Sequence, residues 1–128
     1  MREERPPRDS SPSMTIEAQV EEALHRARGA RGEGEAAAAL EFYMLASDLA
    51  RTVCDEASLA HALRHVSDLA REFRLERLPL EAATEAVSIY ETIGTSPLDR
   101  TNARRVQALA LAQADGSAGS IWEEERRL

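Results

Sequence analysis

His61 and His65 stand four residues apart with Asp68 three further on, a spacing that in a helix puts all three side chains on one face. Two imidazoles so placed begin a zinc site. A catalytic centre also needs a third ligand in register and an activating base, and the HExxH pattern fails because Ala62 follows His61. The pair is therefore expected to be solvated histidines with no metal bound. The single cysteine, Cys54, is expected at a helix end beside Asp55, a setting that does not activate a thiol. It cannot form an internal disulfide, so the chain needs no oxidising compartment and is expected in the cytoplasm. The glycines of Gly29-Ala-Arg-Gly-Glu-Gly34 follow a helical pattern and not a strand, so they fail as a phosphate loop. No Ser, His and Asp order suggests a nucleophile. The expectation is a protein that is not an enzyme and needs no cofactor.

The elements that must position these residues follow from composition and periodicity. A chain of 128 residues holds one domain of ordinary size. With two Phe, two Tyr and one Trp, its core must be built from Ala, Leu, Val and Ile, which favours closely packed helices. All 16 basic residues are Arg, and 23 acidic residues leave a net charge of −7, which argues against general nucleic-acid binding, whose affinity comes from neutralising phosphates. Residues 1–13 carry three of the five prolines and no Leu, Val, Ile or aromatic residue, and are expected to be a disordered tail preceding a helical domain over 14–128. No run approaches the roughly 18 consecutive apolar residues of a membrane span, so no membrane partner is expected.

From residue 15 onward, helical periodicity predicts six segments: Thr15 to about Arg28, Glu35 to about Val53, a third capped by Asp55 or Ser58 and running to about Phe73, one from Pro79 to Ile93 ending at Gly94, then Asp99 to Ala114, a turn at Asp115-Gly116-Ser117, and Ala118 to Leu128. No stretch alternates with period two, so the class is all-α. Ala39, Tyr43 and Ala46 share a frame with Pro79, Ala83 and Ala86 and with Ala118, Trp122 and Glu125, while Ala27, Ser67 and Ala108 share another. Both give a period near 40 residues, dividing the chain into repeats of about 15–54, 55–95 and 98–128.

Leu59-Ala60-His61-Ala62-Leu63-Arg64-His65-Val66-Ser67-Asp68-Leu69-Ala70-Arg71-Glu72 resembles the first helix of a tetratricopeptide repeat, of the bacterial and kinesin-light-chain-like branch with long repeats. Ala39 to Ala46 and Ile121 to Glu125 resemble second helices. The sequence departs from the family pattern at Arg104, Gln107, Ala83, Glu125 and Arg74, the last standing where the family has a turn glycine. The resemblance implies a right-handed α-α superhelix of about three antiparallel helix pairs, whose first helices line a concave groove that holds peptides or partner proteins.

Projected onto this chain, the family's groove takes in His25 and Arg28, then His61, Arg64, His65, Asp68 and Arg71, then Asn102 and Arg105. On an acidic chain this set is mostly cations and neutral donors, suited to an acidic segment or a carboxylate. Binding there would weaken with salt, and above neutral pH if His61 or His65 carries charge. Two rival readings are a self-associating helical unit and a nucleic-acid-associated regulator. The apolar side of the last segment, Ile121, Trp122 and Leu128, has no polar capping helix after it, and is expected to drive homodimerisation or leave the end frayed.

Overall fold

The computed structural model describes the backbone of residues 14–127 and the side chains of residues 14–116. Five helices follow one another: α1 (Ile16–Gly32), α2 (Ala36–Thr52), α3 (Glu56–Glu72), α4 (Leu78–Ile93) and α5 (Pro97–Arg127). No strand occurs among the described residues, and the expected all-α class holds. Each helix packs on the next, and α3 also touches α5. The odd-numbered helices thus form one layer and α2 and α4 the other.

The starts follow the chemistry of the sequence. Thr15 caps α1 by accepting from the Ala18 N–H at 3.1 Å, and Asp55 caps α3 by accepting from Ser58 at 3.2 Å. A proline lies in the first turn of α4, where its missing N–H costs nothing. The ends show a regularity finer than the 40-residue period. Gly34, Cys54, Arg74 and Gly94 all have positive φ, between 58° and 78°, at intervals of 20 residues. At the first three turns the same pair of bonds closes the helix. Glu35, Asp55 and Leu75 donate to the carbonyls of Ala30, Ala50 and Ala70 at 2.9–3.0 Å, while Gly34, Cys54 and Arg74 donate to Arg31, Arg51 and Arg71 at 3.0–3.2 Å. This is the Schellman closure, and its left-handed residue is where glycine is least strained.

The core obeys the same frame. Ala23, Tyr43, Leu63, Ala83 and Ala103 are all buried, as are Ala30, Ala50, Ala70, Tyr90 and Ala110. Small residues at these places let the helices approach closely, and Tyr43, 1% exposed, fills the space between α1 and α3. Ser67 is fully buried and satisfies its hydroxyl by donating to the Pro79 carbonyl at 2.7 Å.

Three expectations change. Helix α1 runs through Gly29 to Gly32, and its break is confined to residues 33–35. The expected turn at Asp115-Gly116-Ser117 does not form, and residues 97–127 are one helix of 31 residues, so the third pair is replaced by a single long element. In both places glycine without proline weakens a helix by only about 1 kcal/mol and does not end it. Finally, Ala108 is exposed, while Ala103, Val106 and Ala110 are buried at an offset of 40 from Leu63, Val66 and Ala70. The 41-residue offset that paired Ser67 with Ala108 was one residue out of register, which on a helix is a rotation of about 100°. Ile121, Trp122 and Leu128 lie outside the residues whose side chains are described.

Candidate functional site

The histidine pair sits where α1, α2 and α3 meet. His65 stacks on the Tyr43 ring, with centroids 4.5 Å apart and planes within 6°, and His61 meets His65 edge-on at 4.7 Å. Arg31, at the end of α1, places Nη1 2.9 Å from His65 Nδ1. A guanidinium is always protonated and can only donate. His65 Nδ1 must accept, so the ring is neutral and carries its proton on Nε2.

Burial pushes the His65 pKa down to about 3, helped by His61, Arg64, Arg31 and Arg28. His61 is lowered as well, by burial first and then by Arg64 and Arg28, with Asp99 opposing. Tyr43 and Tyr90 are raised by burial, against the pull of nearby arginines. Arg64 lies beside the Tyr90 hydroxyl, and its Nε, like that of Arg71, is buried without an acceptor among the described residues. Three guanidiniums, those of Arg28, Arg31 and Arg64, therefore surround one stack of rings. Carboxylates nearby are few. Glu72 is 3.8 Å from Arg31, Asp68 is taken by Arg71 at 3.0 Å, and Asp99 accepts from Thr95 at 2.8 Å.

Of the residues expected in the groove, Arg28, His61, Arg64 and His65 come together here, with the Asp68–Arg71 pair a turn further along α3. His25 does not join them. It lines a separate depression of about 430 Å³ with Glu22, Arg26, Glu33 and Phe42. Asn102 is half-buried and Arg105 exposed on α5. The 40-residue offset seen in the core puts Arg105 at the place of His65 and Asn102 at that of Ala62, one residue away from the places of Arg64 and His61. The frame-mate of Arg64 is Arg104, which hydrogen-bonds Glu91 at 2.6 Å. The zinc-like spacing also leads nowhere. His65 Nδ1 is occupied by Arg31, Asp68 is paired, and among the described residues no group of three or more His, Cys, Asp or Glu is placed to hold a metal.

Arg31, Tyr43 and Tyr90 are the site residues that the groove projection missed. Tyr43 carries a signal as the large residue of the Ala39, Tyr43 and Ala46 frame, but that frame speaks of packing alone. Arg31 was placed in a glycine-rich break, and only the continuation of α1 by one turn brings it to His65.

The frame also gives three equivalent places, each pairing the arginine next to the last buried residue of a helix with a position 34 residues on, and two of them are bridged. In the layer of α2 and α4, Arg51 meets Glu85 at 2.6 Å. In the odd-helix layer, Arg31 meets His65, and the position corresponding to Arg71 is Arg105. At this place Arg51 has a matched charge, Arg31 has a neutral ring, and Arg71, itself paired with Asp68, has a second cation at the corresponding position. No protein-family model matches the chain, and comparison with curated proteins and with solved structures gives no match.

Proposed function

We propose that this chain is a non-enzymatic, tetratricopeptide-like binding module whose odd-helix face takes an acidic segment of a partner protein. The observation that carries this reading is the gathering of Arg28, Arg31 and Arg64 around the Tyr43–His65 stack, on a chain of net charge −7, with Glu72, 3.8 Å from Arg31, the one carboxylate within 4.0 Å of the three among the described residues. Among the described residues, Arg28 and Arg64 form no ion pair within 4.0 Å, whereas Arg26, Arg51 and Arg104 elsewhere each hold a glutamate. Concentrating like charge costs stability through self-repulsion, a cost that a bound anion relieves. Planar guanidiniums suit carboxylates because they form two parallel hydrogen bonds.

An acetylated hexaglutamate peptide tests the reading, with a hexaserine peptide as control. The glutamate peptide should bind and should weaken as salt rises from 50 to 500 mM, since surface attractions are screened over about 10 Å at 0.1 M. Equal binding of both peptides, or of neither, would remove the proposal.

A further inference from the structure

His61 differs from every other ionisable group on this face in that nothing fixes its charge. His65 is held neutral by Arg31 through Nδ1. The arginines stay protonated at any working pH. Asp68 is tied to Arg71, and Asp99 accepts from Thr95. His61 makes no side-chain hydrogen bond among the described residues, and its one close ring contact is the edge of His65. The groups that face it come from every helix packed around it. They are Arg28 from α1, Tyr43 from α2 through the stack with His65, Arg64 and His65 on α3, Tyr90 from α4 beside Arg64, and Asp99 from α5. Cations outnumber the single acid, so the empty face disfavours an imidazolium.

A carboxylate entering between Arg28 and Arg64 reverses that balance. It brings negative charge next to the one ring that is able to respond. We infer that the site is proton-coupled: an acidic peptide enters together with a proton that His61 takes from solvent. This deepens the proposed reading of the face and rests on it. Burial already lowers the His61 pKa in the free protein, which widens the pH range over which binding and protonation are linked. His65 is excluded from the same role because protonating Nδ1 would break its bond to Arg31 and place two cations in contact.

The test is calorimetric titration of acetylated hexaglutamate into the full chain at pH 8 and pH 6, in two buffers with different heats of ionisation. The affinity should be severalfold higher at pH 6, rising toward the tenfold limit of a one-unit rise in a linked pKa only at pH values below both the free and the bound pKa. The apparent enthalpy should differ between buffers in the direction of proton uptake. His61→Gln should flatten the pH profile and abolish the buffer dependence, while His25→Gln should keep both. In the unmutated chain, the His61 ring resonance should titrate at higher pH with peptide than without, a readout that does not depend on the variant folding. Binding of equal strength at both pH values would overturn the coupling and leave the acidic-peptide reading standing. A pH profile that survives His61→Gln would do the same. No binding at either pH would overturn both.

Discussion

The two layers of this protein use the same residue in opposite ways. In the layer of α2 and α4, Arg51 donates to Glu85 at 2.6 Å, and at its margin Arg104 donates to Glu91 at the same distance. In the odd-helix layer, Arg28, Arg31 and Arg64 crowd around neutral rings, and Arg105 occupies the place that Glu85 holds on the other side. The backbone frame is shared, so the difference belongs to side-chain choice and not to fold. It indicates that the 20-residue unit supplies a scaffold while charge matching is satisfied around Arg51 and Arg104 and left open around Arg28 and Arg64.

The largest expected effect comes from the residue that joins the open face to the core. Tyr43 is 1% exposed and carries the His65 ring on its own. Tyr43→Ala should destabilise the chain by about 3–5 kcal/mol, as other aromatic truncations do in cores. Urea denaturation with an unchanged midpoint would show that the face is not anchored there.

Next in size is the direct contrast between layers. Arg28→Glu combined with Arg64→Glu should weaken hexaglutamate binding by about 100-fold or more, since two charge-assisted contacts are worth about 1.5–3 kcal/mol each. Arg51→Glu combined with Arg104→Glu changes charge by the same amount at two arginines that each hold a glutamate, and should alter binding by only about twofold. Circular dichroism should show helicity retained in both. Similar losses in the two double variants would erase the distinction between the faces.

Acid should act on the open layer before the matched one. The His65 pKa is depressed to about 3 in the folded state against about 6.5 when unfolded, so the unfolded chain binds more protons between these values. Its contribution is complete above about pH 6.5 and is lost as pH falls toward 3. From pH 7 to pH 5 the unfolding free energy should drop by about 1–2 kcal/mol, less than the full linkage value because the ring is only partly buried. His65→Gln should have a flatter profile over that interval. Equal stability of the unmutated chain at pH 5 and 7 would contradict the neutral assignment.

The sequence made much of this legible. Apolar spacing located α1 to α4 within a few residues, Thr15 and Asp55 were readable as caps, and the frame of Ala39, Tyr43 and Ala46 located core positions. Of the residues in the groove projection, Arg28, His61, Arg64 and His65 are brought together by the fold. What the projection missed came from two physical causes. Glycine weakens a helix without ending it, so α1 continues past Arg31 and α5 stays whole where the sequence pattern suggests breaks. A one-residue error in offset then rotated the α5 assignments by about 100°, misplacing Asn102 and Arg105. The closer 20-residue repeat is carried by turn geometry at Gly34, Cys54, Arg74 and Gly94, and two of those four residues disguise it because they are not glycine.

Those two residues give the next effect. Cys54 at φ 58° and Arg74 at φ 60° hold the left-handed conformation at a cost that glycine avoids. Cys54→Gly and Arg74→Gly should each raise stability by about 1 kcal/mol, and the two should add because the sites are a full helix apart. Both sites are exposed, so neither change removes a buried contact. A loss of stability in either would mean that the side chain does more at its turn than the backbone alone requires.

The smallest effect is expected where the geometry looks best. Arg51 and Glu85 form two hydrogen bonds, at 2.6 and 3.2 Å, yet their side chains are 53% and 38% exposed. Water screens such a pair, and fixing two long side chains costs entropy, so exposed pairs contribute only about 0.2–1 kcal/mol. A double-mutant cycle with Arg51→Gln and Glu85→Gln should give a coupling energy near the lower end of that range, shrinking further in 0.5 M salt. Hexaglutamate binding should not change in either single variant, although Glu85→Gln leaves Arg51 without its partner. That last case is the sharpest form of the contrast between layers. If releasing one outer arginine were enough to create an anion site, Glu85→Gln would gain affinity, and the odd-helix face would owe its binding to unpaired charge alone. Unchanged affinity would mean that the site also needs the convergence of several guanidiniums on the Tyr43–His65 stack.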